Sequence, residues 1–155
     1  MLCPMISNRD YKWMRWGIEG AKIFSTCSRR NYMAILVDHD GHVVGTGYNG
    51  VPKGFPHCVD GGCPRASGDA PPGSQYGNCL AIHAEANALL HSDYSARAGG
   101  VTLYINGPPC WDCAKLITNA GILRVVYIAD PAYTDWPRVE GLLEEAGIIV
   151  EAMEI

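Results

Sequence analysis

Two short segments of this chain carry residue types able to hold a metal. One is His83-Ala84-Glu85, which opens a helical pattern directly after Ile82. The other is Pro109-Cys110-Trp111-Asp112-Cys113, which opens a second helical pattern after an apolar run. Zinc prefers nitrogen and sulfur donors, and a catalytic zinc takes three protein ligands and leaves a fourth position for water. His83, Cys110 and Cys113 supply such a set. Cys110 and Cys113 stand three apart, so both sulfurs fall on one helical face. Helix N-termini carry partial positive charge, which favours thiolate over thiol. Pro109 sets the start of the second helix and lacks an N–H that would go unpaired there.

A zinc-bound water ionises near neutral pH, and some group must then move its protons. Glu85, two residues from His83, is close to the metal without being needed as a ligand, which suits a general acid and base. C-x-x-C by itself could equally be a redox pair or half of a structural zinc site, and H-x-E by itself says little. Both motifs in this order, each at a helix start and with no fourth protein ligand adjacent, favour a catalytic zinc.

The surrounding pattern supplies elements to position these residues. Met14, Ile18 and Ala21 share one face, which predicts a helix over 8–24 with Asn8 as N-cap. Tyr32–Val37 reads as a strand, Asp38-His39-Asp40-Gly41 as a turn and His42–Tyr48 as the returning strand of a hairpin. Residues 50–78 are rich in Gly and Pro and lack periodicity. So long an irregular stretch in a compact domain is functional or is held by something other than a core. Helices over 84–91, 110–120 (closed by Gly121) and 136–146 (ended by Gly147) then alternate with strands over 101–105, 125–128 and 148–150. Alternation predicts parallel neighbours and a three-layer α/β sandwich.

The chain has 155 residues, 48% hydrophobic and 18% charged, which fits one globular domain over 1–155. Twelve Lys+Arg against 16 Asp+Glu leave a net charge of −4, with no basic run. That weighs against a nucleic-acid or acidic-membrane binder, whose affinity comes from neutralising phosphates. A small anionic substrate stays open, since two or three local cations suffice. There is no membrane-length apolar run and no signal-peptide pattern at the N-terminus. With 7 cysteines, an odd number, the composition predicts a cytoplasmic protein whose cysteines bind metal or stay as thiols.

Taken together, H-x-E and P-C-x-x-C form the signature of zinc deaminases. The chain resembles the cytidine deaminase-like superfamily over nearly its whole length, and most of all its deoxycytidylate (dCMP) deaminases. The resemblance is carried by Ser25–Arg29, Thr46–Gly50, His57-Cys58 with Gly62-Cys63, Ile82–Leu89 and Pro109–Lys115. It implies hydrolytic removal of the 4-amino group of dCMP to give dUMP and ammonia. It also implies a mixed five-stranded sheet flanked by helices and a homo-oligomer, commonly a hexamer. By the same resemblance Glu85 passes protons from water to the ring nitrogen and the leaving ammonia, while Arg29 and Asn49 approach the sugar and phosphate. Tyr133, in the loop after a strand, offers an aromatic surface to close the pocket.

Some dCMP deaminases carry a second, structural zinc. Cys27, Cys58, Cys63 and Cys79 are the candidates here, and four thiolates would make a closed site that orders the Gly/Pro-rich stretch. His57 could replace one cysteine, and His91 is a weaker substitute. The alternative is small buried thiols. The chain departs from the family pattern at Tyr32-Met33, where Val-Gly is usual, and at Pro108, where Ser or Thr is common. A methionine fills space that glycine leaves open, so an altered pocket is expected. Three rival readings remain: a deaminase of another base, nucleoside or modified nucleotide; a tRNA or single-stranded DNA editing deaminase, disfavoured by the charge; and a non-catalytic zinc domain, in which Glu85 would be dispensable.

Overall fold

The structure is a computed structural model that describes residues 6–67 and 79–155. Helix α1 spans Asn8–Phe24, and its N-cap is Ser7, one residue before the expected Asn8. Ser7 and Asp10 form a reciprocal capping box, with the Ser7 backbone N–H donating to Asp10 Oδ2 at 2.7 Å. The acidic partner at the third helical position decides the boundary.

Strands β1 (Met33–Asp38) and β2 (Val43–Tyr48) form the expected hairpin, with the turn pinned by His42 N–H donating to Asp38 Oδ1 at 2.8 Å. The described part of the Gly/Pro-rich stretch holds a 3-10 turn at Cys58–Asp60 and the short helix α2 (Pro64–Ser67). Then follow α3 (Ala84–Leu90), α4 (Tyr94–Arg97), β3 (Val101–Ile105), α5 (Trp111–Thr118), β4 (Ile122–Ile128), α6 (Trp136–Glu145) and β5 (Ile149–Met153). Three differences from the sequence reading stand out. Helix α4 was not expected. β4 starts three residues early because Ile122 pairs with Val101, and β5 runs on to Met153, which pairs with Ile128.

The sheet order is β2-β1-β3-β4-β5. β1 is antiparallel to β2 and β3, whereas β3, β4 and β5 run parallel, joined by α5 and α6. This is the mixed five-stranded sheet of the expected three-layer sandwich. On one face Met14 and Ala21 of α1 pack against Met33, Ile35, Val37, Tyr104 and Val126. On the other, Ala84 and Ala88 of α3, Ala114 and Ile117 of α5, and Val139 and Leu143 of α6 cover Leu36, Leu103 and Val125.

Met33 lies in the α1 core. A Cβ on Gly20 would sit 2.3 Å from its sulfur, so the methionine fills the notch that this glycine leaves. Tyr32, by contrast, packs on Gly107, with its ring where a Gly107 Cβ would lie at 2.5 Å. The departure at Met33 therefore changes the α1 layer, and only Tyr32 faces the layer that carries α3 and α5.

Candidate metal centre and active site

Glycine brings α3 down onto the sheet. At Gly47 a Cβ would meet the Ala88 nitrogen at 2.2 Å and the Ala84 carbonyl oxygen at 2.4 Å. Helix α3 thus rests on the bare backbone of β2. An isolated bridge between Gly50 and Ile82 fixes the segment leading into it, with Ile82 N–H donating to Gly50 O at 2.8 Å. At the far end, buried Arg97 ties α3 to α5. Its Nε donates to Ala120 O at 2.9 Å, and its Nη1 donates to Leu89 O at 3.2 Å and Ser92 O at 2.8 Å. A cation beside the C-terminal end of a helix is electrostatically favoured.

With both helices so held, His83 stands at the N-cap of α3 and Cys110 at the N-cap of α5. His83 Nδ1 lies 3.4 Å from the sulfurs of both Cys110 and Cys113. The spacing of the motifs left open which imidazole nitrogen turns inward. The three donor atoms all lie within 4.8 Å of one another. One imidazole nitrogen and two sulfurs are the donor set and number that a catalytic zinc takes, so the residues fit that metal.

Without a metal the three donors share protons that metal binding would release. The Cys110 thiol is pulled down to about 4, because the Cys113 thiol donates to its sulfur and outweighs burial, with help from His83 and the Cys113 backbone N–H. Sharing that proton with Cys110, together with burial, pushes Cys113 up. The hydrogen bond with Cys110 raises His83 against the opposing effect of burial. Glu85 lies in the first turn of α3, 5% exposed. Burial pushes its carboxyl up, which suits a group that must hold and release a proton.

Asn49 is buried beside the Gly50–Ile82 bridge. Its Oδ1 accepts from the Ser25 hydroxyl and from Tyr32 N–H, the latter at 2.9 Å, and its Nδ2 donates to Arg30 O at 2.8 Å. One amide hydrogen is left for a ligand. Asn106, which sequence reasoning missed, holds the same segment from the other side: Met33 N–H donates to its Oδ1, and its Nδ2 donates to Asn31 O, both at 2.9 Å. Arg29 extends from this doubly held loop and donates from Nη2 to Arg65 O at 3.0 Å. Arg65 is itself a buried charge that nothing in the sequence singled out. Tyr133 is half-buried against the core that carries α3, α5 and α6.

The four remaining candidate cysteines share one region. Cys58 and Cys63 are buried, and their thiols are hydrogen-bonded to each other. Burial, with Cys63, Cys27 and Cys79 nearby, pushes Cys58 up to about 11. Val59 N–H donates to Thr26 O at 3.1 Å, tying the 3-10 turn to the segment after α1. These sulfurs are more widely spaced than the first set. Among the described residues only His83/Cys110/Cys113 and Asp38/Asp40/His42 bring three donor atoms within 4.8 Å. His57 and His91 are exposed.

The profile of the family described as the cytidine and deoxycytidylate deaminase zinc-binding region matches residues 7–129. The chain belongs to this family. Zinc is accordingly the metal for which His83, Cys110 and Cys113 are the candidate ligands. A deoxycytidylate deaminase of Mycobacterium phage D29 is 46% identical over 108 residues, covering 66% of this chain and 81% of the phage protein. A deoxycytidylate deaminase of Schizosaccharomyces pombe is 37% identical over 124 residues, covering 80% of this chain and 38% of its own. The chain thus spans well under half the length of the fission-yeast relative. The crystal structure of a dCMP deaminase from cyanophage S-TIM5 in complex with dCMP and dUMP is similar at a TM-score of 0.72 and 28% identity, covering 97% of this chain and 100% of that one. The fold is the cytidine deaminase-like one. No described helix is long and apolar enough to cross a membrane.

Proposed function

We propose that this protein hydrolyses the 4-amino group of dCMP, giving dUMP and ammonia. The observation that carries this reading is the buried Glu85 carboxyl beside His83, Cys110 and Cys113 at two adjoining helix N-termini. Zinc held by these three residues would supply the Lewis acidity that makes water nucleophilic near neutral pH. Glu85 would take a proton from the attacking water and deliver it to the pyrimidine ring nitrogen, then carry the remaining hydroxyl proton to the amino group, which leaves as ammonia as the C4 carbonyl forms. The mycobacteriophage and yeast relatives are deoxycytidylate deaminases and the cyanophage protein holds dCMP and dUMP, which supports the substrate. Arg29 meets the phosphate, Asn49 shapes the loop beneath the sugar and phosphate, and Tyr133 closes the pocket.

The chemistry is carried by one domain over 1–155, since the sheet draws strands from both halves of the chain. Cys27, Cys58, Cys63 and Cys79 would hold a second, structural zinc, a reading their shared region supports. No disulfide joins the six described cysteines, which suits a cytoplasmic enzyme. The exposed stack of Phe24 on Tyr48, at 5.8 Å between centroids, supports assembly into a homo-oligomer, with the hexamer as the form the resemblance implies.

The deciding experiment compares turnover of dCMP and deoxycytidine by zinc-loaded protein. Strong preference for dCMP, lost in Arg29→Ala, is expected. Equal or reversed preference would remove the phosphate reading and leave the zinc and Glu85 chemistry standing. Metal analysis should find two zinc per chain; one would sink the second site.

A further inference from the structure

Arg30 joins two loops that lie far apart in the chain. Its guanidinium Nη1 is 2.8 Å from Asp130 Oδ2 and 3.2 Å from the Tyr32 hydroxyl. Its backbone carbonyl is held by Asn49 Nδ2 at 2.8 Å, so the residue is anchored at its root as well as its tip. Asp130 is engaged on both sides too. Its Oδ1 accepts from Ala132 N–H at 3.0 Å, and its carbonyl accepts from Tyr133 N–H at 2.9 Å, which folds the turn after β4. That turn lies beyond the carboxyl end of a parallel strand, where open α/β sheets place their ligand loops. The turn itself lines an open groove, together with Tyr127, Trp136 and Pro137.

We propose that Arg30 and Asp130 are positioning residues, a clasp that sets the Arg29 side of the nucleotide site against the Tyr133 side. The proposal rests on the dCMP reading above, in which Arg29 meets the phosphate and Tyr133 closes over the nucleotide. Neither clasp residue touches substrate. Arg29 immediately precedes Arg30, and Tyr133 stands three residues beyond Asp130 in the turn that Asp130 folds. Loss of the pair lets the two sides drift apart without disturbing the metal site, whose ligands belong to α3 and α5. The pair is partly exposed, with side chains 61% and 28% accessible. Ion pairs of this kind contribute modestly, so the expected effect on KM is about threefold to fivefold rather than orders of magnitude.

The test is steady-state kinetics of Asp130→Asn, which keeps an oxygen for Ala132 N–H while removing the charge that Arg30 grips. KM for dCMP should rise by about threefold to fivefold while kcat and zinc content stay at wild-type values. KM for deoxycytidine, which lacks the phosphate, should move less. Arg30→Gln, which removes the charge from the other side, should raise the dCMP KM by a similar factor, and combining it with Asp130→Asn should add little to either single change. An unchanged KM in Asp130→Asn, an equal change for both substrates, or full additivity in the double variant overturns the clasp. Failure of the substrate reading looks different: the wild-type protein itself would then show no preference for dCMP.

Discussion

Gly47 of β2 and Ala88 of α3 approach so closely that a Cβ on the glycine would lie 2.2 Å from the Ala88 backbone nitrogen. The obstacle is helix backbone, which cannot rotate aside as a side-chain tip can. Gly47→Ala must therefore lift α3 and, with it, His83 and Glu85. Overpacking of this kind costs about 1–3 kcal/mol, occasionally more. A lower Tm in a thermal melt, together with weaker zinc retention on dialysis against a mild chelator, is expected. Unchanged zinc affinity would show that α3 is free to shift without carrying the metal site.

Glu85→Gln keeps the shape of a buried side chain and removes its proton chemistry. Turnover should fall by about 10²–10⁴-fold, the usual weight of a positioned acid–base group. Zinc content and Tm should hold. A variant that retains most of its activity would assign the proton transfers elsewhere and revive the non-catalytic reading of the domain.

Asp10 should give the fold an acid-sensitive component. Burial pushes its carboxyl up, but hydrogen bonds from Arg124, Tyr104 and Ser7 outweigh that and hold it well below the usual carboxylate range. Arg124 reaches Asp10 from Nη1 at 2.7 Å and Nη2 at 3.1 Å, and donates from Nε to Glu151. A depressed folded-state pKa means stability that is present above the unfolded value of about 3.9 and is lost as pH falls toward the folded one. Asp10→Asn should cost about 1.5–3 kcal/mol at pH 7, because it removes the charged acceptor from the half-buried Arg124 and leaves it only Glu151. The gap to wild type should narrow below about pH 4. Chemical denaturation from pH 3 to 7 measures it, and a gap independent of pH would refute the linkage.

Arg97→Met removes the donors that hold Leu89, Ser92 and Ala120 carbonyls together. Hydrogen bonds from a charged group are worth about 1.5–3 kcal/mol each, and not all of that is lost when the chain relaxes. A Tm lower by roughly 5–12 °C is expected for about 2–4 kcal/mol in a domain of this size. Since the change acts at the ends of α3 and α5 remote from the metal, kcat at 25 °C should fall less than twofold. A large loss of kcat with an unchanged Tm would contradict a purely structural role.

The metal site was legible because its signals are local. His83 and Glu85 are two apart, Cys110 and Cys113 three apart, and each pair begins a helix whose apolar spacing the chain displays openly. The hairpin and the three later helices were legible for the same reason. Cap preference alone does not separate Asn8 from Ser7 at the start of α1; the reciprocal bonding of Ser7 with Asp10 does. The ends of β4 and β5 were misplaced because a strand stops where its partner stops, and the partners lie about 20 residues or more away.

By itself, then, the sequence determined the order of the main helices and strands, the candidate metal-binding residue types and the carboxylate beside them, since each depends on neighbours within a turn or two of chain. The tertiary structure alone decided that His83 presents Nδ1 to both sulfurs, that bare glycine backbone in β2 sets the height of α3, and that Asn49 and Asn106 hold one loop between them. It alone joined Arg30 to Asp130 and Arg124 to Asp10. Those partners are separated by 100 and 114 residues, and no local pattern of charge or hydrophobicity can announce a contact that exists only after the sheet has brought its strands together.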